Sequence, residues 1–199
     1  GEWGESGTGR NNIGRWSADQ AAVEVKNVYF DFGVPGIPIP ATLRVGLQPL
    51  NVRPAMVVYN DGMGITGVVK IDPVDINFQW FKQVENQDYS SDDTDVYGLG
   101  ISTKIQKITV GGYGLYYNSN TYPIIPAAPI PNVDFTADMW WLGVYADGKL
   151  GPVDLNFDFV VDTGEVKDQR NISPRARDVK YRGWATRLKF EYPWEKFTF

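Results

Sequence analysis

The chain has 199 residues, a formal charge of -5, 43% hydrophobic residues and neither Cys nor His. Without thiols it can form no disulfide framework and no thiolate metal site, and without imidazole it lacks the usual general base and the commonest transition-metal ligand. Its acidity argues against nucleic acid as a partner, and no apolar run approaches the roughly 20 residues that a membrane helix needs. What recurs instead is alternation of apolar and polar residues. In chain order, strands are predicted near Val28 to Phe32, Ala41 to Gln48, Gly64 to Ile71, Ile76 to Gln83, Val96 to Lys104, Ile108 to Tyr117, Asp138 to Asp147, Val153 to Asp162, Tyr181 to Phe190 and from Lys196 onward.

Most of these segments separate oil from water. Leu43, Val45 and Leu47 oppose Thr42, Arg44, Gly46 and Gln48; Ile76, Phe78 and Trp80 oppose Asn77 and Gln79; Tyr97, Leu99 and Ile101 oppose Gly98, Gly100, Ser102 and Lys104. The clearest case sets Val153, Leu155, Phe157, Phe159 and Val161 against Asp154, Asn156 and Asp158. Two strands are ambiguous. Ile108 and Val110 suggest one register and Tyr113, Leu115 and Tyr117 the other, while Glu24 and Lys26 share parity with Val28, Phe30 and Phe32, so a bulge or a projecting strand end is expected in each.

Connection length alternates as well. Gly33 to Pro40, Asp72 to Asp75, the bend at Gln106, Gly148 to Pro152 and Pro193 to Glu195 are short, with Gly, Pro and Asp in most of them; Pro49 to Met63, Val84 to Asp95, Asn118 to Ala137 and Thr163 to Val179 are long. A soluble sandwich has no reason to sort its loops by end. The pattern predicts an all-β fold, a transmembrane antiparallel up-and-down β-barrel with about ten strands in this chain, forming one domain over residues 1–199. Trp140, Phe78, Trp80, Tyr97, Trp184, Tyr192 and Trp194 fall on outward faces or near strand ends, as an aromatic girdle at lipid headgroups would.

The stretch Val23 to Gln48, with its VEVKNVYFDF strand, short turn and TLRVGLQ strand, resembles a hairpin of the general porins of Gram-negative outer membranes. Pro49 to Gln83 then follows the porin order of long loop, Gly-containing strand, tight turn and Asn/Gln-rich strand, and the closest flavour is that of the homotrimeric porins of sulfate-reducing bacteria. The resemblance implies an internal piece of a barrel of about 16 strands, incomplete at both ends, with residues 1–22 as an external loop and 49–63 as the constriction loop. It implies outer-membrane residence among lipid and lipopolysaccharide, a homotrimer, and passive diffusion of small hydrophilic solutes and ions without enzymatic chemistry.

The residues expected to line the pore are Arg44, Lys70, Lys104, Asp154, Asp158, Arg187 and Lys189, all on polar strand faces. The resemblance adds Arg53 and Asp61 as opposing charges on the constriction segment. That segment also carries Val52, Pro54, Ala55, Met56, Val57 and Val58, too apolar for a freely solvated loop, and so is expected to fold back into the lumen. No cofactor is called for, although Asp88, Asp92, Asp93 and Asp95 offer oxygen ligands for a structural Ca²⁺. Two alternatives stand beside diffusion: a substrate-selective channel for sugars or acidic solutes, and a soluble all-β carbohydrate-binding or adhesin domain.

Overall fold

Successive side chains of a strand point to opposite faces, so a chain of alternating segments joined by turns lays itself down as a meander. The computed structural model describes residues 14–16, 21–23, 27–53, 56–84, 93–120, 135–168 and 178–193. Among these, β1 (Gly14–Trp16) and β2 (Ala21–Val23) form a small antiparallel sheet that begins within the segment expected to be an external loop and ends one residue past it. The remaining strands are β3 (Val28–Gly33), β4 (Ala41–Val52), β5 (Val58–Ile71), β6 (Val74–Val84), β7 (Thr94–Ile105), β8 (Ile108–Ser119), β9 (Phe135–Leu150), β10 (Val153–Asp168) and β11 (Val179–Glu191). They make one open nine-stranded antiparallel sheet in strict chain order, with no helix among the described residues.

Nine of the expected strands are present, and most extend further at the long-loop end than the alternation indicated. The tenth, from Lys196, lies outside the described residues, as do Glu24, Lys26, Pro54, Ala55 and Trp194. Two expectations are corrected. Pro49 to Met63 is not one long loop, because β4 runs on to Val52 and β5 begins at Val58, pairing without a break across a turn of five residues. Nor does β8 hold a bulge: its pairings with β7 and β9 keep one register from end to end, with Ile108, Val110 and Tyr116 outward and Tyr113, Leu115 and Tyr117 on the other face.

The sheet curls. From β4 to β10 there are six strand spacings, about 29 Å in a flat sheet. Yet Arg53, at the turn after β4, contacts Asp147 on β9 and Asp158 on β10. The face bearing Arg44, Gln79, Asp154 and Asp158 is therefore concave. At the long-loop end that face is apolar, and there the β4–β5 tip leans inward to make a core of Leu50, Val52, Phe81, Val96 and Leu115, joined by Val57 and Val58. This explains β8, whose Tyr113, Leu115 and Tyr117 face apolar neighbours rather than water. Phe81 is fully buried, and Gly62 and Gly64 make room for it: a Cβ on Gly64 would stand 2.9 Å from the Phe81 ring and 2.2 Å from the Trp80 carbonyl oxygen.

The convex face is ordered differently. Trp80, Tyr97, Tyr116 and Trp140 occupy one rung across β6 to β9, with Tyr97 and Tyr116 stacked at 6.1 Å between centroids and Tyr116 and Trp140 at 4.5 Å. Their polar tips point to carboxylates on the next rung toward the long loops: the Trp80 indole donates to Asp95 at 2.9 Å and the Tyr116 hydroxyl to Asp138 at 2.6 Å. Between this rung and the short turns, the outward positions of β3 to β11 carry no Asp, Glu, Lys or Arg. Leu99, Ile101, Val144 and Leu188 there are each more than half exposed.

Because Phe81 anchors the leaning tip, Phe81→Ala should destabilise the sheet by about 3 to 5 kcal/mol. Tyr59→Ala, at a side chain 76% exposed, should cost under about 0.5 kcal/mol. Equilibrium urea unfolding followed by tryptophan fluorescence measures both, and equal costs would refute the inward core.

Candidate functional site

Arg53 stands where the β4–β5 tip meets the far wall of the sheet. It opens the β4–β5 turn with a left-handed backbone (φ 45°), and its carbonyl accepts from the Met56 and Val57 amides at 2.7 and 3.0 Å. A non-glycine residue holds such a backbone only where its surroundings compensate. Here the side chain does so. Its Nε donates to Asp158, its two terminal nitrogens reach Asp147 at 2.5 and 3.0 Å, and the guanidinium lies 4.3 Å over the Tyr145 ring. The carboxylates come from adjacent strands, and the Asn156 amide also donates to Asp147.

Burial of Arg53 works against its charge, but hydrogen bonding and charge pairing with Asp147 and Asp158 outweigh it and raise its pKa above the ordinary value. Asp158 is almost wholly buried, at 1% exposure. Three buried polar atoms around this cluster have no protein partner: Asp158 Oδ2, Asn156 Oδ1 and the Tyr113 hydroxyl. Beside them the tip and the concave wall border a half-open cavity of about 380 Å³, lined by Arg53, Thr66, Asn77, Gln79, Tyr113 and Tyr145 among others.

Of the residues expected to line a pore, Arg53 and Asp158 are brought into direct contact. Arg44 is on the concave face of β4, paired with Asp31 at 2.5 Å and 4.2 Å over the Tyr29 ring. Asp154 pairs with Lys149 at 2.9 Å and Lys189 with Glu191 at 2.6 Å, while Arg187 stands directly across from Asp158 in the β10–β11 register. Lys70 and Lys104 are exposed near the short turns, where with Asp72, Asp75 and Thr109 they line a second depression of about 550 Å³. Asp61 is a correction. It lies in β5 opposite Pro49, on the convex face, because its parity is that of Met63 and Ile65 and not that of Gly62 and Thr66. It cannot oppose Arg53.

Of the four carboxylates offered for Ca²⁺, two are described. Asp93 pairs with Lys82 at 2.7 Å and Asp95 serves Trp80, so they answer to different partners, while Asp88 and Asp92 lie outside the described residues. The carboxylate that sequence reasoning missed is Asp147. Its parity with Tyr145 and Lys149 marks it as concave, but nothing in the local pattern says that a turn four strands away would reach it. The chain matches no protein-family model and no curated protein.

Removing the guanidinium would leave Asp158 buried and unpaired. Arg53→Met should therefore cost about 3 to 5 kcal/mol, and Arg53→Met with Asp158→Leu should recover a large part of that loss. A double-mutant cycle by equilibrium unfolding tests it; strict additivity of the two changes would show that the pair is not coupled.

Proposed function

We propose that this chain is the wall of a porin-like transmembrane β-barrel that lets small hydrophilic solutes and ions diffuse through a water-filled lumen, without bond chemistry. The observation that carries the reading is the uncharged convex band. Across β4 to β11 it is roughly 34 Å wide at the usual strand spacing. From Trp140 to Leu150 it follows about 33 Å of strand, which a tilt of about 40° reduces to a height of about 25 Å. Strand spacing times strand length gives on the order of 1,000 Å², above the roughly 300 to 600 Å² of the largest apolar patch on a typical soluble monomer. The height matches the apolar band of outer-membrane barrels, and the Trp80–Tyr97–Tyr116–Trp140 rung sits where an interfacial girdle belongs.

A soluble carbohydrate-binding domain would need a second layer over that band. Among the described residues no element packs on it. In lipid the free edges of β3 and β11 must find partners. These two strands run in the same direction, so an all-antiparallel closure takes an odd number of further strands. The lumen would then be lined by Arg44, Lys70, Lys104, Asp154, Arg187 and Lys189, and narrowed by the β4–β5 tip where Arg53 meets Asp147 and Asp158.

Reconstitution of the full chain in planar bilayers should give stepwise ion conductance, and the folded protein should require detergent and migrate differently on a gel before and after heating. A water-soluble, non-conducting protein would overturn the reading. Phe157→Arg, on the convex face near mid-height, should cost roughly 2 to 4 kcal/mol of stability in lipid, whereas Asp154→Arg, on the concave face, should chiefly alter conductance. Arg53→Glu would place three carboxylates together and should raise the cation-to-anion permeability ratio, most at low salt where screening is weakest. Asp61→Lys, facing outward, should leave that ratio unchanged.

A further inference from the structure

The cavity beneath the β4–β5 tip has a donor set of its own. Its floor is the Tyr113 ring, which lies flat over Gly143: a Cβ there would stand 2.3 Å from the ring. Its side is formed by the Asn77 and Gln79 amides, laid across Gly100 and Gly98 on the neighbouring strand, where a Cβ would come within 2.5 and 2.6 Å of them. These glycines keep the large polar groups against the wall and leave the space above them open. The roof is Arg53, whose charge is already matched by Asp147 and Asp158 on its far side. No carboxylate lines the cavity.

That combination discriminates by chemistry. An anion would find one guanidinium whose nitrogens are engaged, and a cation would find no carboxylate. Primary amides both donate and accept, as a hydroxyl does, and an aromatic ring face packs against aliphatic C–H groups. The Tyr113 hydroxyl is itself buried against Gly143, so this residue offers the solute its ring. A cavity of about 380 Å³ falls within the range of small-molecule sites. We infer that this cavity is a binding site for a neutral polyhydroxylated solute of monosaccharide size, held by Asn77, Gln79 and Tyr113. The inference rests on the permeation reading, since the site would lie in the diffusion path.

Two measurements on the full chain separate the inference from that reading. Calorimetric titration of the detergent-folded protein with glucose reports binding whether or not a pore exists, and conductance recordings with glucose in the bath report occupancy of the path. Saturable binding and saturable reduction of conductance are expected with glucose, and neither with ammonium chloride or sodium acetate. Asn77→Ala with Gln79→Ala should raise the half-saturating glucose concentration about tenfold or more, through two lost hydrogen bonds. Gln79→Ala alone keeps the ring and removes one amide, so it should raise that concentration about three- to tenfold and decides the matter should the double variant fail to fold. Conductance that falls with glucose only in proportion to bulk conductivity, together with no saturable heat, overturns the site and leaves the pore. Saturable heat without any conductance overturns the pore and leaves the site. An unchanged half-saturating concentration in the variants removes these residues from it.

Discussion

Antiparallel pairing without slippage is the constraint on which the other features depend. A shift of one residue between neighbouring strands would carry every side chain of one of them to the opposite face. From β3 to β11 the pairing holds a single register at every interface except the last residues of β6, where it shifts between Lys82 and Val84. That irregularity falls beyond the aromatic rung, at the end of the strand. Below it the two faces stay distinct, and so one can be free of charge while the other gathers nearly all the ionic and amide groups.

The two faces are held by different physics. On the convex side, apolar side chains make few contacts, and stability there depends on what surrounds the sheet. On the concave side, the chain solves a packing problem in a confined space. Glycines recur opposite large side chains, with Gly111 under the Tyr145 ring and Gly143 under that of Tyr113. The rings thus lie along the wall instead of filling the interior. Where bulk does enter, at the long-loop end, it comes as the apolar tip of β4 and β5 against Phe81, Val96 and Leu115. Hydrophobic burial brings the tip inward, and Arg53 fixes where it stops.

That division of labour matters for what the site can do. Two carboxylates and one guanidinium leave a local excess of one negative charge, yet of the three groups only the guanidinium lines the cavity beneath the tip. Ions passing outside the tip would meet the charged cluster; a neutral solute beneath it would meet amides and a ring. One buried ion cluster can therefore set two properties, the field across the narrow section and the shape of a pocket.

Strand positions and faces were legible along the chain, because a period of two is a local property. Val153 to Val161 declare their faces without help from any other segment, and so do Leu43 to Gln48. The short turns were legible for the same reason. Tertiary structure decided what the faces meet. The apolar parity of Tyr113, Leu115 and Tyr117 looked like a break in register, and only the arrival of Val57 and Val58 from β4–β5 shows it to be an interior contact. Asp61 shows its side only once its segment is known to be a strand, because a loop has no parity and a strand has one. Asp147 went unnoticed because its partner lies 94 residues away in the chain. Alternation tells a residue which side of the sheet it occupies; curvature of the whole sheet decides which residue faces it across the interior.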